Sequence, residues 1–138
     1  MKKKIVAILL CGTMFLGITG CGKNGGNIEN VKIKEISSEI YSQKDIKSAI
    51  NTITKEFNDT WNGCTLKEIY YAGDKMSLDY QDWADRNNKE VVIVLLSKFD
   101  VDSSGGDSSL NPYSTYDDWK WILVRNKGES WIHVDHGY

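Results

Sequence analysis

The two histidines of this chain, His133 and His136, fall in one short terminal run with Asp135 between them. An imidazole and a carboxylate two residues apart on a strand project to one face, so His133 and Asp135 have the types and spacing for acid–base work. A nucleophile to accompany them is missing. Cys64 lies far away in sequence, and a lone thiol of this kind is expected to be buried as a small hydrophobe. His133, Asp135 and His136 therefore read first as strand and chain-end residues, and no enzyme activity is expected.

A second cluster is the loop at residues 100–112. Asp100, Asp102, Ser104 and Gly105 match the first half of a calcium loop, with oxygen ligands at alternate positions and glycine at the sharp turn. Position twelve is Asn111, where a bidentate glutamate is needed. Asp100, Asp102 and Asp107 are thus weak metal candidates in a solvated acidic loop, and no metal or cofactor is expected.

Aromatic residues form the third group. Five tryptophans in a chain of 138 residues invite a pocket reading, because rings of this size line concave apolar sites. Trp119, Trp121, Trp131 and Tyr116, with His133, are the candidate pocket residues. In a domain this small most such rings must also serve as core.

These residues need elements to position them. Around residues 117–125, alternation puts Trp119, Trp121 and Leu123 on one face and Lys120, Ile122 and Val124 on the other. We read this stretch as the central strand of a small antiparallel sheet, apolar on both faces and so covered on two sides. Residues 91–96 form a continuous β-branched run that pairs with it. Ser42 followed by Asp45 is an N-cap signal, with Tyr41 and Ile46 as the flanking staple. Ile46, Ala49, Ile50, Ile53 and Phe57 then recur on one helical face, which predicts an amphipathic helix of about four turns lying on the sheet. Residues 64–71 are strand-like, residues 77–86 predict a short helix capped by Ser77 with Leu78 and Trp83 as anchors, and residues 130–135 make a last strand. The order implies an α+β domain over residues 41–138: a helix near its N-terminus packed on a curved antiparallel sheet of about four strands.

The chain begins differently. Lys2, Lys3 and Lys4 precede an apolar run to Leu16, the layout of an export signal over residues 1–20 and too short for a typical membrane span. Residues 16–21 resemble a bacterial lipobox ending in Cys21, which implies a diacylglycerol-modified, amino-terminal cysteine. Two or more acyl chains anchor stably, since each buried methylene contributes about 0.8 kcal/mol. Residues 21–40 read as the lipidated cysteine and a Gly-rich flexible tether. Within it, residues 31–40 either dock as an edge strand or stay loose. Losing the three lysines leaves 14 basic against 19 acidic residues, a net charge of −5. No basic patch survives, which argues against nucleic-acid binding.

Together, residues 42–57, 91–99, Leu110-Asn111-Pro112, Trp119-Lys120-Trp121 and the terminal Asp135-His136-Gly137-Tyr138 resemble the cone-shaped fold of the nuclear transport factor 2-like superfamily. More closely, the chain resembles a family of bacterial lipoproteins carrying the domain of unknown function 4829. The resemblance implies a cone-like α+β domain and brings no activity with it. The expectation is a lipid-anchored lipoprotein at the extracytoplasmic face of the cell membrane, binding an unidentified protein or small ligand. A small enzyme using His133 and Asp135 in the cone, or a homodimer packed sheet to sheet, are the alternatives.

Overall fold

The computed structural model describes residues 25–138. Cys21 and the export signal lie outside the described residues. The chain is α+β: a five-stranded mixed sheet in sequential order, β1 Lys32–Lys34, β2 Cys64–Tyr71, β3 Val91–Val101, β4 Thr115–Arg125 and β5 Ile132–Gly137. β2 to β5 form an antiparallel meander, whereas β1 runs parallel to β2. The expectation of about four strands, all antiparallel, is corrected in both respects. All three β1 residues are exposed, so no burial pattern marks that strand in the sequence. The middle strand is β3 rather than the Trp119 strand, because β1 adds one strand on the β2 side.

Helix α1 spans Gln43–Thr60 and opens on a complete capping box, with Ser42 Oγ accepting from the Asp45 amide and the Asp45 carboxylate accepting from the Ser42 amide. Its buried stripe is Ile46, Ala49, Ile50, Ile53 and Phe57. The stripe packs on Leu66, Ile69, Ile93, Leu95, Phe99, Trp121 and Leu123, which share one face of the sheet. The opposite face carries Val92, Ile122 and Val124. Two short helices follow β2: α2, Asp74–Asp79, and α3, Gln81–Arg86. Ala84, Trp83 and Tyr80 cover that second face. Ser77 does not cap a helix as expected; it is buried, and its Oγ accepts from the Val94 amide at 3.1 Å. Leu78, expected as an anchor, points to solvent.

Register shifts interrupt all three antiparallel pairings, at Lys67 of β2, on β4 and on β5, and change which side chains share a face. On β4, Trp119 pairs with Ser97 and Tyr116 with Phe99, so Asp117 and Asp118 of β4 stand against the single Lys98 of β3. Asp118 takes a positive φ of 55° there, and Tyr116 thereby joins Trp119 on the helix side. On β5, His133 pairs with Leu123 and Asp135 with Ile122, leaving Val134 as the extra residue.

The segment read as a tether lies along the domain from Gly25 onward. Gly25 donates to Asn62 Oδ1, the Gly26 amide to the Phe57 carbonyl at 2.9 Å, and Asn27 exchanges backbone bonds with Cys64 and Leu66. Glycine is required here for close approach. A Cβ on Gly26 would stand 2.6 Å from the Phe57 ring.

Candidate functional site

At one end of the sheet the last turn of α1, the start of β2, the loop after β3 and the edges of β4 and β5 enclose a groove of about 630 Å³. Its lining includes Glu56, Trp61, Leu110, Trp119 and His136, with Cys64 at its base. Helix α1 ends where it must for this: Trp61 is its C-cap, and the Trp61 amide donates to the Phe57 carbonyl. The Trp61 ring stacks on Phe57 at 5.4 Å and meets Trp121 at 5.0 Å and His136 at 5.2 Å.

The bulge at Val134 decides the polar chemistry. It breaks the simple alternation that would place His133 and Asp135 together; that expectation is corrected. His133 and His136 instead face the helix side opposite Leu123 and Trp121, and Asp135 sits opposite Ile122 on the other face. Glu56 Oε1 lies 2.8 Å from His133 Nδ1, and His133 Nε2 lies 3.3 Å from His136 Nδ1. With the carboxylate as acceptor, His133 donates from Nδ1, and its Nε2 faces His136. The His136 ring packs among Trp61, Trp119 and Trp121 while one edge stays open to solvent. That partial burial, and then the neighbouring His133, lower the His136 pKa below the ordinary histidine value.

The other expected pocket residues are dispersed. Trp121 is fully buried core, its Nε1 donating to Ser97 Oγ at 2.8 Å. Trp131 lies at the opposite end of α1, where its Nε1 donates to the Asp45 carbonyl at 3.1 Å and Arg125 covers its ring at 4.1 Å. Tyr116 stacks on Phe99 behind the groove, and its hydroxyl accepts from the Asn111 amide. Trp119 does line the groove. Its buried indole N–H has no hydrogen-bond partner among the described residues and is ringed steeply by Trp61, Phe99 and Tyr116. Contact with ring faces is the weak substitute open to it. Nothing in the sequence marks Glu56, Trp61 and Leu110 as neighbours, and only the fold brings them together.

Cys64 is buried, and burial, reinforced by Asp102 and Asp107, pushes its thiol up to about 11, so it is a poor nucleophile. The acidic loop is already engaged locally. Asp102 accepts from the Ser104 amide and hydroxyl, Asp100 from Thr115 Oγ1, and Asp107 from Asn62 Nδ2. Among the described residues no group of three or more His, Cys, Asp or Glu side chains is arranged to hold a metal ion. Compared with known proteins, the chain matches no family model, no curated protein and no solved structure.

Proposed function

We propose that this chain is an exported lipoprotein, anchored through acyl chains on Cys21 to the extracytoplasmic face of the cell membrane, whose domain binds a ligand or protein partner in the Trp61–Trp119–His136 groove. The observation that carries the binding reading is the contrast in packing at one end of the sheet. The core under α1 is filled, yet Trp61, Trp119, Leu110 and His136 leave an open, aromatic-walled hollow beside polar Glu56, Thr60, Asn62 and Asp107.

The lipobox resemblance supports the anchor. With Gly25 already bonded to Asn62, only four residue steps separate it from Cys21, a reach of at most about 14 Å. The domain is then held close to the headgroups, with the groove end nearest the anchor. The likeness to the cone-shaped superfamily and to the lipoproteins with domain of unknown function 4829 rests on the sequence resemblance.

The Glu56, His133 and His136 string favours a second reading, a small enzyme with an imidazole base in the groove. Its lack of a matching nucleophile ranks it behind binding. The groove reading is tested by following tryptophan fluorescence while cell-surface saccharides, amines and peptides are titrated into the purified protein. A saturable change that disappears in Trp119→Leu is expected. An identical response in that variant would move the binding site elsewhere.

A further inference from the structure

We propose that His133 Nε2 and His136 Nδ1 together hold a divalent transition-metal ion of the zinc or copper(II) kind at the edge of the groove, its remaining positions left to water or to a groove ligand. This goes beyond the binding reading and stands whether or not Cys21 is lipidated.

The spacing is the first argument. The two nitrogens are 3.3 Å apart, longer than a good N–H hydrogen bond, which runs to about 3.2 Å. Two imidazole nitrogens bound at about 2.0–2.1 Å to one tetrahedral ion lie about 3.4 Å from each other. The ring centroids are 5.2 Å apart with planes tilted by 32°, close to the roughly 5 Å expected of two rings converging on one tetrahedral ion.

The surroundings are the second argument. Glu56 accepts from His133 Nδ1 at 2.8 Å, the carboxylate–histidine arrangement that orients a ligating ring and leaves its other nitrogen to the metal. Trp121 packs against both imidazoles, at 5.3 Å from His133 and 5.4 Å from His136, forming an apolar shell. Neutral imidazoles suit zinc and copper(II), whereas calcium and magnesium need several oxygen ligands that are not gathered here. The extra residue at Val134 puts both rings on one face, the kind of re-aiming that bulges perform beside sites. Two protein ligands make an open site, weaker than a closed four-ligand one and able to exchange its other ligands.

The test is calorimetric titration of the chelator-treated protein with zinc chloride and with copper(II) sulfate. Calcium and magnesium chloride serve as controls, and circular dichroism shows that each variant is folded. One ion per chain is expected, tighter for copper than for zinc. His136→Ala and His133→Ala should each weaken binding at least about tenfold, and Glu56→Gln by about tenfold. His136 lies partly open at the strand edge, so its variant reads the site even where His133→Ala disturbs the fold. No heat with zinc or copper, or binding unchanged in His136→Ala, would overturn the assignment.

Discussion

Asp45 illustrates how single residues fix the ends of this fold. It closes the capping box, and its Oδ1 sits 2.9 Å from Arg125 Nη2, while Arg125 also covers Trp131. The Arg125 hydrogen bond, ahead of those from Ser42, holds the Asp45 carboxyl below the usual carboxylate range. A depressed folded pKa contributes stability that is present above the unfolded value, about 3.9, and is lost as pH falls through the folded one. Asp45 is one-third exposed, so solvent screening limits the effect. We expect Asp45→Asn to lose about 1 kcal/mol near neutral pH, with the deficit closing below about pH 4. Urea unfolding at several pH values checks this; a deficit independent of pH would assign the loss to something other than the ionised carboxylate. The capping box was legible from Ser42 and Asp45 alone, because capping is local. Arg125 was not, because its partner lies eighty residues away in the chain.

Elements were legible where their periodicity is unbroken. The stripe from Ile46 to Phe57 repeats at helical spacing and is buried in that register, and the apolar run of β3 is covered on both faces. Truncating the stripe should therefore leave a cavity: Ile53→Ala is expected to cost about 2–5 kcal/mol in denaturant unfolding. A loss under about 0.5 kcal/mol would mean that the helix does not pack on the sheet there. Bulges were illegible for the same reason. One extra residue at Val134, or Asp118 at φ 55°, shifts every later side chain to the opposite face without any mark in composition. The Gly-rich segment misleads differently, since glycine serves close approach as readily as flexibility. Gly26 packs against Phe57, so Gly26→Val should destabilise the protein by about 1–3 kcal/mol through overpacking. Unchanged stability would show the segment to be detached from the helix.

At the scale of the whole molecule, the groove is assembled from positions as distant as Glu56, Leu110, Trp119 and His136, and no local pattern announces such a meeting. The proposed relation of the domain to a membrane surface rests instead on a local signal. The lipobox resemblance ends at Cys21, and the chain is docked from Gly25, so the proposed anchor would be tethered to the domain by a short connection. No described helix is long and apolar enough to cross a membrane. The most direct measurement is metabolic labelling of the full chain with a radioactive fatty acid, combined with membrane fractionation, for the native protein and for Cys21→Ser. Label and membrane retention are expected in the native protein, and the loss of both in the variant. Label persisting in Cys21→Ser, or a native protein that is unlabelled and released from membranes, would contradict the proposed anchor.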